Sequence, residues 1–146
     1  MDEYEDMRSM MDYVDSTEQS DDIDAELLTF VDNSIFMESQ AHHWHLQCNY
    51  YSKHMELDEF YEDLPELVDT FVEGLMNTRG PLPIGMDAQY TFVPLENAIS
   101  TLEVYVEQAR QIHRLLDERE DFGSVNSLED IISFVEATLY KLKHLQ

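Results

Sequence analysis

The side chains able to do chemistry crowd into residues 41–73, AHHWHLQCNYYSKHMELDEFYEDLPELVDTFVE. This stretch holds four of the six histidines, the one cysteine and the one tryptophan. Imidazole and carboxylate donors together suit Fe(II), and also Mn(II) or Zn(II). His54 and Asp58 stand four residues apart, as do Asp69 and Glu73, so on a helix each pair sits one turn above the other. With His54 set at 0°, Asp58 falls near ~40°, Asp69 near ~60°, Glu62 near ~80° and Glu73 near ~100°. The apolar sector of the same helix centres near ~290°, so the polar groups form a stripe on the flank of the core. Asp58 and Asp69 are separated by about 16 Å along the axis, too far for one ion to take both pairs from one helix. A two-fold dimer would bring His54 and Asp58 of one chain opposite Asp69 and Glu73 of the other. Glu62 is either a further ligand or a solvated charge, and Pro65 lies on the same stripe.

Upstream, the ligand is open among three histidines. With Leu27 at 0°, Glu38 falls near ~20°, His42 near ~60°, His45 near ~0° and His43 near ~160°. An intramolecular site favours Glu38, His42 and His45; a site shared across a dimer favours His43. A lone histidine is more often a packed core group than a ligand, and His113 and His144 have no readable partners. Trp44 reads as packing, Cys48 as a small buried apolar residue.

Four helical patterns position these groups. Residues 24–48 carry Leu27, Leu28, Phe30, Val31, Ser34, Ile35, Met37, Ala41, Trp44 and Cys48 in one sector. After a short break at NYYS, a second pattern runs to Arg79-Gly80 with Leu57, Phe60, Tyr61, Leu64, Leu67, Val68, Phe71, Val72 and Leu75 on one face. Pro65 should kink it or release a carbonyl. GPLPIGMDAQYTFVP, residues 80–94, is a connection that can stretch to roughly 43–47 Å, more than the roughly 39 Å length of the second helix. A third helix starts near Pro94, and a fourth opens at Ser127-x-x-Asp130, a capping-box variant. The expectation is an all-α four-helix bundle over residues 23–146, with a long crossover between helices two and three. Residues 1–22 are an acidic arm, mobile or loosely docked, in which Tyr4, Met7, Met10, Met11 and Val14 fall at helical spacing.

A net charge of −24 with eight Lys and Arg argues against direct nucleic-acid binding and against anionic membrane surfaces. No signal-peptide or membrane-spanning pattern is present, which places the chain in the cytoplasm. A single cysteine excludes an internal disulfide and a thiolate zinc site.

His43-Trp44, then His54-x3-Asp58, then Asp69-x3-Glu73 resembles the Dps-like branch of the ferritin superfamily. The spacing within helix two matches that signature, and the link from Trp44 to His54 is one residue shorter. The texture is also similar to small ferritin-like proteins encoded by bacteriophages, which would make the compartment a host cytoplasm. The resemblance implies a ferritin-like bundle, homo-oligomerisation from dimer to dodecamer, and an iron site across a dimer interface. It implies Fe(II) oxidation or iron sequestration, with His54, Asp58, Asp69 and Glu73 at the reacting centre and His43 as the upstream ligand, ranked slightly ahead of His45, which periodicity favours; the stripe keeps Glu62 as a further candidate. The basic DNA-holding tail of Dps proteins is replaced here by an acidic arm, so DNA compaction should be absent.

Two other classes compete. An acidic helical bundle could mimic DNA and occupy a basic, nucleic-acid-binding partner protein through surface carboxylates such as Glu56, Glu59 and Asp63. Alternatively, a ferritin-like scaffold with a retired site would keep its oligomer and bind no metal.

Overall fold

The computed structural model describes the backbone of residues 3–83 and 89–145, and the side chains of residues 23–83 and 89–145. It contains four α-helices and, among the described residues, no strand: α1 (Glu3–Gln47), α2 (Tyr51–Arg79), α3 (Ala98–Glu118) and α4 (Phe122–His144). A single 3₁₀ turn, Leu95–Asn97, leads into α3. The all-α four-helix bundle expected from the periodicity is thus what forms. No described helix is long and apolar enough to cross a membrane.

α1 is antiparallel to α2, because only Cys48–Tyr50 separates them. Arg79, the last residue of α2, returns to Asp24 of α1 with Nε–Oδ1 at 3.1 Å. α3 also runs antiparallel to α1: its start lies at the far end, where the Leu95 amide donates to Gln47, and further along Gln108 meets Asn33. α4 closes the bundle against α2 and α3, with Lys141 beside Glu56 and Arg110 on Glu136. The chain leaves α2 at one end and enters α3 at the other, so the connection crosses the full length of the bundle. Residues 84–88 within it lie outside the described residues.

Gln40 and Trp44 tie that crossover to α1. The Val93 amide donates to Gln40 Oε1 (2.7 Å), while Gln40 Nε2 and Trp44 Nε1 both donate to the Val93 carbonyl (3.2 and 2.9 Å). Gln40 and Trp44 are both fully buried, so these bonds prevent the cost of about 1–3 kcal/mol that an unpaired buried polar group carries. Phe36 adds stacked contacts to Tyr90 (4.7 Å) and Phe92 (5.4 Å). Trp44 is the packing residue expected, and its indole N–H is satisfied as buried Trp requires.

The core follows the helical sectors. Leu27, Phe30, Val31, Trp44, Leu57, Phe60, Leu64, Val68 and Phe71 are buried. Phe30 stacks on Tyr105 (5.4 Å) and meets Phe71 edge-on (5.9 Å, 84°). Ile35, expected inside, is 49% exposed, because it sits at the edge of its sector, outside the α1–α2 and α1–α3 seams.

One local expectation is corrected. α4 begins at Phe122, not at a Ser127 cap; Ser127 lies inside the helix and its hydroxyl donates to the Gly123 carbonyl. The helix starts early because Ser124, Val125 and Leu128 are all buried against the bundle, and that burial outweighs the helix cost of Gly123. α1 itself runs continuously from Glu3 across residue 22, the expected edge of the acidic arm. The side chains of that arm lie outside those described. Pro65 is accommodated within a continuous α2.

Candidate metal centre

The α1–α2 turn folds two histidines onto each other. The His45 and His54 rings stack with centroids 3.7 Å apart and 25° between planes. Their Nδ1 atoms make reciprocal bonds: His45 Nδ1 to the His54 carbonyl, and His54 Nδ1 to the His45 carbonyl, both 2.8 Å. A carbonyl can only accept, so each Nδ1 carries the proton. In the neutral ring this leaves Nε2 with a lone pair free of any proton, the tautomer that a metal-ligating histidine needs.

His45 Nε2 lies 3.7 Å from Asp58 Oδ1. A lone-pair nitrogen and a carboxylate facing each other across that gap can be bridged by a water molecule or by a cation. Donors bound to one ion at about 2.0–2.2 Å stand roughly 3–4 Å apart, so the spacing fits. His45 is 9% exposed, while Asp58 and His54 are half-buried, so the site is reachable from solvent.

Two further groups frame the cluster. Tyr61 faces Asp58: loss of solvent first, then hydrogen bonding to Asp58 and the charges of Asp58 and Glu62, raise its pKa. Its ring stacks on His42 at 4.2 Å and tilts toward His45 at 5.3 Å. The sequence reading assigned Tyr61 only to the apolar face. Its position three residues after Asp58, one turn along, was the available signal.

Deeper along the same seam, Glu38 of α1 feels Asp69 of α2. Burial first, then the Asp69 charge, push the Glu38 carboxyl up to about 7. Beyond it, the buried Tyr105 hydroxyl lies 2.6 Å from Ser34 Oγ, which donates in turn to the Phe30 carbonyl at 2.7 Å. Burial is the main reason the Tyr105 pKa is raised, with the Glu38 charge adding to it and the Ser34 bond opposing it.

The candidates therefore divide. His45, His54 and Asp58 come together, with His42 at the rim. His43 does not join them: it turns to the other side of α1, stacks on Phe92 (4.4 Å, 7°), and its buried Nδ1 has no hydrogen-bond partner among the described residues. Glu62, Asp69 and Glu73 are exposed further along α2. Neither Asp69 nor Glu73 has an ion-pair partner among the described residues. Within one chain, no three His, Cys, Asp or Glu side chains converge closely enough to hold a metal ion, among the described residues. One chain thus supplies one half of a donor set, and the carboxylates that could supply the other half lie about 16 Å away along the helix.

The remaining buried acid is Glu56, which pairs with Lys141 at 3.5 Å between α2 and α4. Burial raises its pKa more than Lys141 lowers it. It joins helices and is buried, not the surface carboxylate expected of it.

A sequence profile of a family of unknown function (DUF5856) matches residues 45–142, which include His45, His54, Asp58, Asp69 and Glu73. No curated protein and no solved structure matches the chain significantly.

Proposed function

The chain belongs to DUF5856, a family of unknown function, and from the site alone we propose that it is a ferritin-like, Dps-like metal-binding protein that takes up Fe(II), with Mn(II) or Zn(II) as alternatives. The observation that carries this reading is the reciprocal histidine pair. Both Nδ1 protons are committed to backbone carbonyls, and His45 Nε2 is aimed at Asp58. The crossover spanning the bundle supports the ferritin-like topology. Asp58 with His45 or His54 of one chain would hold one side of the ion; Asp69 and Glu73 of a two-fold partner would hold the other.

Iron is the substrate or cargo in this account. The protein's own groups bind it: each Nδ1 proton is held on a backbone carbonyl, so that Nε2 is the nitrogen offered to the ion. In the oxidising version, Fe(II) is oxidised by dioxygen or peroxide at this site, and the acidic surface receives Fe(III). His43 is replaced by His45 as the upstream ligand in this proposal, because His43 faces Phe92. The net charge of −24 makes nucleic acid a poor partner.

The test is the absorbance time course of Fe(II) oxidation under oxygen, comparing the protein with an Asp58→Ala/Asp69→Ala variant. The expected result is fast oxidation that saturates at a small iron-to-chain ratio and vanishes in the variant. Oxidation no faster than in buffer, for both proteins, would remove the ferroxidase reading. A DNA-mimicking role on a basic partner would then be the next to test, by neutralising surface Glu59 and Asp63.

A further inference from the structure

Two features of the chain have no use in the metal site, and they complement each other. The first is the end of the bundle formed by the α1–α2 turn. Four large apolar side chains stand in solvent there: Leu46 at 70%, Tyr50 at 66%, Tyr51 at 77% and Met55 at 43% exposure. The same end collects the chain's three lysines, in a protein with 32 acidic residues. Lys53 is in the first turn of α2. Lys141 and Lys143 are in the last turn of α4, held only loosely by Glu56 (3.5 Å) and Glu103 (3.7 Å). An apolar patch rimmed by cations on so acidic a molecule is a docking surface for an acidic, apolar-faced segment.

The second feature is such a segment. Residues 1–22 carry nine carboxylates against one arginine, Arg8. Tyr4, Met7, Met11 and Val14 follow 3-4-3 spacing, the anchor pattern by which an amphipathic helix seats in an apolar groove. The backbone is helical from Glu3. α2 ends beside Asp24, so it does not accompany these first turns of α1. An isolated helical segment of this length is marginal in water and gains its stability from packing.

We propose that the N-terminal segment of one copy, residues 3–22, docks on the α1–α2 turn end of a second copy. Docking within one chain is excluded by geometry. The segment and the turn lie at opposite ends of one continuous helix, and Val14 and Gln47 are about 50 Å apart along it. Pairing two arms with each other would set one acidic helix against another, whereas the lysine-rimmed end offers opposite charge. The contact is head-to-tail, so it propagates into a ring or an open chain of subunits and is separate from any two-fold pairing along the α1–α2 seam.

The test is light-scattering mass against concentration for the full-length protein without metal. It is run beside an arm variant (Met7→Asp/Met11→Asp) and an end variant (Tyr50→Asp/Tyr51→Asp), with circular dichroism as the folding control. The arm variant adds negative charge, so attraction by charge alone would leave it associating as well as before or better. The expected result is that each variant needs an about tenfold higher concentration to assemble beyond its basal species. A mixture of the two should recover one step of growth, because each supplies the half the other lacks. A Met7→Leu/Met11→Leu variant should assemble like the parent. Equal mass for parent and variants at every concentration would overturn the proposal, as would variants that lose assembly but do not rescue each other.

Discussion

Glu38 shows how a single residue records the tension in the α1–α2 seam. Its carboxyl is pushed up to about 7 by burial and by Asp69. A pKa raised above the unfolded value of 4.5 means that the stability it contributes is fully present below pH 4.5 and is lost as pH rises through about 7. Glu38→Gln should therefore be nearly neutral at pH 5 and stabilising at pH 8, by on the order of 1 kcal/mol after discounting for solvent screening. Thermal unfolding at the two pH values checks this. Of the candidate ligands, His54 and Asp58 were legible from their four-residue spacing. The choice among the upstream histidines was not, since it depends on how the turn at Cys48–Tyr50 brings α1 back on α2. Helical angles placed His45 inward, and the turn then set its ring on His54. Gln40 was invisible as a crossover anchor because its partner, Val93, is fifty-three residues away in sequence.

At the level of elements, apolar periodicity located all four helices, since each buries a continuous stripe. Boundaries were harder where burial and local signals disagree. The Ser127 motif looks like a cap, yet α4 starts five residues earlier because Ser124 and Val125 pack into the bundle. The tight α3–α4 turn that results has a cost: Glu120 adopts φ 59°, the left-handed region that glycine accepts freely. Glu120→Gly should raise stability by about 0.5–1 kcal/mol in chemical unfolding, with no change in metal binding. In α2, Pro65 leaves the Tyr61 carbonyl without its helical donor. Pro65→Ala should therefore raise the melting temperature, by the equivalent of about 1–3 kcal/mol. An unchanged or lower melting temperature would mean that the proline is compensated by its surroundings.

Charge acts on the molecule as a whole. With −24 spread over 146 residues, the folded state repels itself, and screening should relieve that. Raising salt from about 0.01 M to 0.15 M, where the Debye length falls from about 30 to 8 Å, should lift the melting temperature by about 3 °C or more. A divalent cation held at the histidine–carboxylate site should do more per ion than sodium, because it binds only the folded state. The shared-site account makes a sharper demand. If His54 and Asp69 of different chains serve one ion, His54→Ala and Asp69→Ala should each abolish the same binding event. Mixing the two variants should then restore about a quarter of the sites, since random pairing makes half the dimers mixed and each of these has one intact site. The most direct measurement is an anaerobic calorimetric titration of Fe(II) into the protein, into each variant and into their equilibrated mixture. The account predicts one saturable event, absent in both variants and partly regained on mixing. Undiminished binding by His54→Ala, or variants that never complement, would contradict it.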